Sequence, residues 1–140
     1  MSYVVCVPSY NRPELCNEKT LAMLKTANIK KKNVYVFVAN KQEQKRYNEL
    51  LDKKLYHKIV LGKKGLVPQR QFIMEYFKQG KHIVFFDDDI EEVDLSLSNR
   101  FKSGTLDNFF KSAFNDCKKY KSFLWGPYTV YNPFFRKTIL

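Results

Sequence analysis

Four short apolar runs between Tyr3 and Phe86 constrain the fold of this chain more than any other feature. They are Tyr3 to Val7, Val34 to Ala39, Ile59 to Leu61 and Ile83 to Phe86. None alternates polar with apolar residues, so each is predicted to be a strand that is covered on both faces. Segments with helical spacing separate the runs. This order predicts an α/β fold, with a Rossmann-like, mostly parallel sheet flanked by helices.

Four helices are predicted, each starting at a residue that favours an N-cap or a first turn: Pro13, Asn40, Pro68 and Thr105. Asn40 has Glu43 three residues on, at the spacing of a capping box, and Gly80 is expected to stop the third helix. The run Ser122 to Val130 is predicted to be a further strand. The residues expected to be buried are Leu15, Leu21, Leu24 and Ile29 in the first helix, Tyr47, Leu50 and Leu51 in the second, Phe72, Ile73, Tyr76 and Phe77 in the third, and Phe109, Phe110, Ala113, Phe114 and Cys117 in the fourth.

Length and composition are those of one globular domain. The 140 residues are 44% hydrophobic and 28% charged, and no run approaches the roughly 18 apolar residues of a membrane span. Met1 to Tyr10 lacks the basic stretch and cleavage site of a signal peptide. The three cysteines, Cys6, Cys16 and Cys117, have no metal-ligand spacing. A reducing, cytoplasmic location is therefore expected.

The net charge of +11 has two interpretations. Twenty-five Lys and Arg stand against fourteen Asp and Glu, and the lysines cluster at 30–32, 63–64 and 118–119. A positive field attracts nucleic acid, anionic membranes or phosphorylated ligands. A lysine-rich, solvated surface would give the same count without any partner. Charge alone does not decide between these.

Three consecutive aspartates, Asp87 to Asp89, directly follow the fourth apolar run. Carboxylates so close together repel one another, and at the end of an apolar strand they lose hydration, so a cation should compensate them. In extended backbone Asp87 and Asp89 point to one side and Asp88 to the other. Two carboxylates on one side suit a hard divalent ion that also holds diphosphate oxygens. The alternative is a solvated acidic loop in which the aspartates serve as turn formers.

The segment Pro8 to Pro13 follows the first predicted strand and carries groups suited to a nucleotide. Tyr10 can stack on a base, while Ser9 and Arg12 can hydrogen-bond to base, ribose or phosphate. The alternative is an ordinary strand-to-helix turn, in which Ser, Asn and Pro are common.

A second segment, Gly62 to Arg70, leads into the third helix. Gly65 would allow close approach of the backbone, and Gln69 and Arg70 could reach a pyrophosphate. Arg70 is predicted to lie in the first helical turn, where a positive charge opposes the helix dipole and calls for an anionic partner. A solvent-exposed arginine is the alternative. Further along the chain, Trp125 either belongs to the core or lines an acceptor pocket.

Together these segments resemble glycosyltransferases of the GT-A fold. Val4 to Pro13 is similar to the donor-binding first strand and loop of that family, and Gly65 to Gln71 is similar to its Gly-x-x-x-x-Arg-Asn helix start. Phe86 to Asp89 matches the Asp-x-Asp motif. The likeness runs from about Tyr3 to Asp94. Small viral and phage members, including the TET-associated group, have the most similar pattern.

The resemblance implies a role for each matching residue. Pro8, Ser9, Tyr10 and Arg12 would surround the base and ribose, with Gly65 and Gln69 close to the donor. The residues implied in catalysis are Arg70 beside the diphosphate, Asp87 at ribose or sugar hydroxyls, and Asp89 on the metal. Asp89, with Asp87, would bind Mn²⁺ or Mg²⁺ bridging the diphosphate, and Asp88 would assist by position or hydrogen bonding.

The implied activity is metal-dependent transfer of a sugar from a nucleoside diphosphate sugar, UDP-linked, to a glycan, protein or modified-DNA acceptor, in a host cytoplasm if the protein is viral. Residues 1–95 would bind donor and metal, and 96–140 would begin an acceptor-binding part that is expected to be incomplete. The apolar end, 134–140, is expected to meet a partner domain or a second copy. The alternative is a non-catalytic module that binds nucleic acid or nucleotide. A nucleotidyltransferase would need a glycine-rich loop, which Pro8 to Pro13 lacks.

Overall fold

The computed structural model describes residues 2–95 and 104–126, and the chain divides into two units, Met1–Glu92 and Val93–Leu140. The first unit contains four strands and the helices that connect them. In chain order its elements are β1 (Tyr3–Pro8), α1 (Pro13–Cys16), a π turn (Asn17–Leu21), α2 (Ala22–Thr26), a 3₁₀ turn (Lys31–Asn33), β2 (Val34–Val38), α3 (Lys41–Leu50), β3 (Lys58–Leu61), α4 (Leu66–Tyr76) and β4 (His82–Phe85). The second unit contains α5 (Leu106–Tyr120).

The four strands form one parallel sheet in the order β3-β2-β1-β4, which confirms the predicted α/β fold. On β1, Val4 and Cys6 belong to a buried cluster with Phe37, Val60 and Ile73. The residues that alternate with them, Val5 and Val7, are buried as well. Successive side chains of a strand point to opposite faces, so both faces of the sheet are covered, as the unbroken apolar runs indicate.

The strand order places a crevice at the carboxyl ends of the strands. The chain builds outward from β1 to β2 and β3, then returns to lay β4 on the other side of β1. Parallel sheets bind ligands beyond the carboxyl ends of their strands at the point where the order reverses. Here that point lies between β1 and β4, and the segments that follow these two strands are the Pro8–Pro13 loop and the three aspartates.

The helix after β1 is interrupted. The chain passes from α1 through the π turn into α2, and Thr20, Leu21 and Leu24 along it are fully buried. A π turn carries one extra residue per turn and often lies at a functional site. The sequence predicted a helix here, but its apolar spacing gave no sign of the π turn. Leu15, predicted to be buried, is only partly so.

The start of the second predicted helix is confirmed. The Asn40 side chain accepts a hydrogen bond of 2.9 Å from the Glu43 backbone N–H, and α3 begins at Lys41. Tyr47 and Leu51 are buried as predicted. The prediction was wrong for Leu50, which is 46% exposed because it lies on the solvent side of the helix next to its end.

The third helix begins earlier than predicted, at Leu66 rather than near Pro68, and ends at Tyr76. Ile73 is buried and Phe72 and Phe77 are partly buried, whereas Tyr76 is 38% exposed. The chain turns through Gly80, whose positive φ of 90° favours glycine. No helix of the described ranges is long and apolar enough to cross a membrane.

In the second unit, α5 begins as predicted, with Thr105 accepting a 3.1 Å hydrogen bond from the Asn108 backbone N–H. Trp125 packs edge-on against Phe109 and Phe114, with ring centroids 5.6 and 5.7 Å apart. This contact favours a packing role for Trp125 over an acceptor pocket. Of the strand predicted over Ser122 to Val130, residues 122–126 are not extended in a sheet, and 127–130 lie outside the described residues, as do 134–140.

Replacement of Asn40 by Ala should destabilise the first unit by about 0.5–2 kcal/mol, because the substitution removes the oxygen that caps α3. The measurement is urea unfolding followed by far-UV circular dichroism. Asn48→Ala, at an exposed position of the same helix, is the matched control and should cost less than about 0.5 kcal/mol. Equal effects of the two substitutions would contradict the capping role.

Candidate functional site

An open cleft of about 480 Å³ lies at the carboxyl ends of the strands. It combines the loop after β1, the end of β2, the loop between β3 and α4, and the aspartates after β4. Its lining residues are Pro8, Ser9, Tyr10, Arg12, Ala39, Lys63, Lys64, Gly65, Leu66, Gln69, Asp87 and Asp88. Of the residues that sequence analysis assigned to a ligand, the structure brings all except Arg70 and Asp89 into this lining. Arg70 contacts Asp87 and Asp89 contacts Arg12, so both residues adjoin the lining.

Asp88 is the buried centre of the site, with 2% of its surface exposed. One of its carboxylate oxygens accepts hydrogen bonds from Ser9 Oγ at 2.6 Å and Arg12 Nε at 2.9 Å. The other accepts from the second guanidinium nitrogen of Arg12 at 2.5 Å. This bidentate pair raises the pKa of Arg12, chiefly through the hydrogen bond to Asp88. Asp88 therefore fixes the loop after β1 to the end of β4.

The loop after β1 is also held from the other side by α3. Tyr47 is fully buried, and its hydroxyl lies 2.6 Å from Ser9 Oγ and accepts from the Arg12 backbone N–H at 3.2 Å. Burial raises the pKa of Tyr47, which keeps the phenol protonated and able to donate. Glu43 accepts from the Asn11 backbone N–H at 2.5 Å, where Asn11 takes a positive φ of 57°. The two side chains, one helical turn apart, position the loop.

Sequence analysis missed these contributions of α3. It identified Glu43 as a capping residue and Tyr47 as a core residue, and in the structure each supports the site as well. The capping-box prediction was partly wrong, because the Glu43 carboxylate reaches the Asn11 backbone. The chain offers no local signal for either contact, since 32 and 38 residues separate the partners.

The backbone of the aspartate segment is held by Thr20 from the π turn. Its hydroxyl donates to the Asp87 carbonyl at 2.5 Å and accepts from the Ile90 backbone N–H at 2.9 Å. Thr20 is itself fully buried. One side chain therefore satisfies backbone groups on both sides of Asp88 and Asp89, which fixes the direction in which those residues point.

The aspartate side chains alternate in exposure as predicted, but the extended backbone from which this was expected is not found, because Asp88 and Asp89 lie in a turn. Asp88 is buried, whereas the Asp87 and Asp89 side chains are 61% and 46% exposed. Among the described residues there is no group of three or more His, Cys, Asp or Glu side chains arranged to hold a metal ion. Any metal at Asp87 and Asp89 would need further ligands from water or from a bound substrate.

Arg70 differs from its predicted placement. Because α4 begins at Leu66, Arg70 is the fifth helical residue and lies beyond the first turn, so the argument from the helix dipole does not apply. Its anionic partner is Asp87, with the two charged groups 3.3 Å apart. Its guanidinium also lies 5.4 Å from the centre of the Phe85 ring. Arg70 thus balances the first aspartate at the rim of the cleft.

Gln69 shapes the loop between β3 and α4. It is 5% exposed; its amide nitrogen donates to the Val38 carbonyl at 3.1 Å, and its oxygen accepts from the Lys63 backbone N–H at 2.9 Å. A Cβ at Gly62 would lie 2.0 Å from that oxygen, so a larger residue there would have to displace the Gln69 amide from its hydrogen bonds. The structure therefore gives Gln69 a structural role, and its contact with a donor stays a prediction.

Lys63 and Lys64 are cleft residues that sequence analysis counted only as part of the net charge. Both are exposed and line the cleft, and neither has a carboxylate within 4.0 Å among the described residues. Lys64 Nζ lies 5.5 Å from the centre of the Tyr10 ring, and Tyr10 is 50% exposed. Gly65 follows with a φ of 102°, which turns the chain into α4. The lysines form a cationic wall on the cleft.

Replacement of Thr20 by Val should destabilise the first unit by about 1–3 kcal/mol, because the Asp87 carbonyl and the Ile90 N–H lose their partner. Amide hydrogen exchange should accelerate at Ile90 more than in the sheet. Unfolding by urea and exchange followed by mass spectrometry are the measurements. Thr26→Val, at an exposed position of α2, is the control. Unchanged exchange at 87–90 would contradict the role given to Thr20.

Comparison with known proteins does not assign this chain to a family. No protein-family model matches the chain, and no curated protein and no solved structure is significantly similar to it. The function is therefore argued from the residues of the cleft.

Proposed function

We propose that this chain is the donor-binding part of a metal-dependent glycosyltransferase that uses a nucleoside diphosphate sugar. One observation carries the proposal: a single cleft at the reversal point of the sheet is lined by Asp87, Tyr10, Lys63 and Lys64, and Asp89 adjoins it beside Arg12. This is the arrangement that a nucleotide, a diphosphate and a divalent ion require together.

The carboxylates fit a metal that is shared with the substrate. Mg²⁺ and related hard ions are commonly held by one or two carboxylates, with the remaining positions filled by water and phosphate oxygens. Asp87 and Asp89 are exposed enough to serve, and a site of this kind needs no third protein ligand. Asp87 is balanced by Arg70 at 3.3 Å, whereas Asp89 is 3.9 Å from Arg12. Asp89 is thus the better candidate for the principal ligand.

Other residues that line the cleft fit the nucleotide. Tyr10 presents a half-exposed ring on which a base can stack, and Lys63 and Lys64 supply positive charge for a diphosphate. The volume of about 480 Å³ lies within the range of small-molecule sites, roughly 300–1,000 Å³. Arg12 and Ser9 are engaged by Asp88 and are assigned to holding the loop that carries Tyr10.

A divalent ion at this site would neutralise the charge that develops on a departing nucleoside diphosphate. The chain's own residues would hold and orient the donor: Tyr10 at the base, Lys63 and Lys64 at the phosphates, and Asp89 at the metal. The acceptor is proposed only by its chemical class, which is a glycan, a protein or modified DNA. A second candidate function is nucleotide binding without sugar transfer. It rests on the same cleft and differs from the first in having no catalytic turnover of the nucleotide sugar.

The test is thermal stabilisation by UDP and by GDP, each with and without Mn²⁺. A saturating ligand at roughly 100 times its Kd should stabilise the protein by about 2.7 kcal/mol. We expect stabilisation by UDP that is largest with Mn²⁺ and is strongly reduced in Asp89→Ala. Release of UDP from a panel of UDP-sugars then separates transfer from binding alone.

Glu49→Gln is the matched control, because it removes an exposed carboxylate of α3 that does not line the cleft. The control should behave as the native protein. Stabilisation that is equal in Asp89→Ala and the native protein would overturn the metal site, and no stabilisation by any nucleotide and metal pair would overturn the proposed function.

A further inference from the structure

Lysines flank the amino ends of three of the four strands. These strand ends lie at the end of the sheet opposite the cleft. They lie before β2, around the start of β3 and before β4, and all of them are exposed. We refer to them as the lysine edge: Lys30, Lys31, Lys32, Lys53, Lys54, Lys58, Lys78 and Lys81. The strand order β3-β2-β1-β4 arranges these groups along the full width of the sheet.

Register and contacts confirm that the segments are neighbours. Lys31 Nζ donates to the Lys53 carbonyl at 3.0 Å, which joins the segments before β2 and β3. Lys81 Nζ donates to Ser2 Oγ at 3.3 Å beside the start of β1, and Lys58 Nζ donates to the Tyr76 hydroxyl at 3.3 Å. All three acceptors are neutral, so these contacts leave the ammonium charges uncompensated.

Elsewhere in the first unit the three arginines and Lys19 form ion pairs, whereas the exposed lysines at 25, 41, 45, 63 and 64 form none among the described residues. The ion pairs of the first unit among the described residues are Arg12 with Asp88 and Asp89, Lys19 with Glu91, Arg46 with Glu14, and Arg70 with Asp87. None involves the lysine edge. Within residues 29–33, 51–58 and 77–82 the one carboxylate is Asp52, and its side chain accepts from the Lys54 backbone N–H at 2.9 Å.

We propose that the lysine edge binds the phosphate backbone of nucleic acid without reading its sequence. Lysine ammoniums are compact point charges, and phosphate contacts of this kind displace condensed counterions. Three strand spacings of about 4.8 Å give the row a width of about 14 Å. A duplex carries one charge per roughly 1.7 Å of axis with both strands counted, so a length of about 14 Å contains about eight phosphates, of which those on the near side can contact the row. This surface is separate from the cleft and does not depend on the proposed sugar transfer.

The composition of the edge favours nucleic acid over a lipid bilayer. Helices and loops that settle on membranes add large apolar side chains to their basic residues. Of the large hydrophobic residues that the described chain exposes, none lies within 29–33, 51–58 or 77–82, although Leu50 and Tyr76 flank these ranges and Tyr76 contacts Lys58. The surface therefore offers mainly charge and hydrogen-bond donors.

The experiment measures fluorescence anisotropy of a labelled 20-base-pair duplex with the full chain, over a series of salt concentrations. The test variant is the triple substitution Lys32→Gln, Lys54→Gln and Lys78→Gln, with one change beside each of three strands. We expect at least a tenfold loss of affinity at low salt, and a fall of about 2.7 in the magnitude of the slope of log K against log salt, since each lost phosphate contact removes about 0.9.

The control is a second triple substitution, Lys41→Gln, Lys45→Gln and Lys118→Gln, which changes the net charge equally at exposed positions outside the edge. It should leave affinity within about threefold of the native value. Equal losses in the two variants would overturn the proposal, because they would show an effect of net charge only. Absence of duplex binding by the native chain, or edge-dependent binding to phosphatidylserine vesicles without binding to the duplex, would overturn it as well. Circular dichroism verifies that both variants are folded.

Discussion

The buried carboxylate of Asp88 is the interaction on which the geometry of the cleft depends. A charge that is 2% exposed is stable only when hydrogen bonds satisfy it, and Ser9 and Arg12 supply three. Both donors lie on the loop after β1, while Asp88 follows β4. Because β1 and β4 are adjacent and parallel, the ion pair closes the point where the strand order reverses, and the cleft takes its shape around it.

The position of Asp88 determines what its neighbours can do. The central carboxylate is turned inward, whereas Asp87 and Asp89 are exposed, and the chain bends at this point because Asp88 and Asp89 lie in a turn. Thr20 then holds the carbonyl of Asp87 and the N–H of Ile90. The three aspartates therefore divide into one that is structural and two that are open to a ligand. An acidic loop with only a turn-forming role would have no reason to bury its middle carboxylate against an arginine.

The parts of this structure that depend on local sequence pattern were predicted correctly. The unbroken apolar runs indicated strands covered on both faces, Asn40 and Thr105 marked helix starts, and most of the residues proposed at strand ends meet in one cleft. Prediction failed where partners are distant in the chain. Tyr47 was predicted only as a core residue and Thr20 was not singled out, because they come within reach of Ser9 and Asp87 only after the strands pair. Arg70 shows the other limit, because a helix that starts two residues earlier than predicted places it beyond the first turn.

The net charge of +11 is not distributed evenly, and this changes how it should be interpreted. At the carboxyl edge the arginines are matched by aspartates, so the unmatched cations of the cleft are Lys63 and Lys64. At the amino edge the lysines have neutral acceptors and one carboxylate among them. A genome that merely favours lysine codons would scatter lysines among the acidic residues of the surface. The concentration of eight exposed lysines around one carboxylate at the amino edge is instead consistent with a second surface, distinct from the cleft and suited to an extended polyanion.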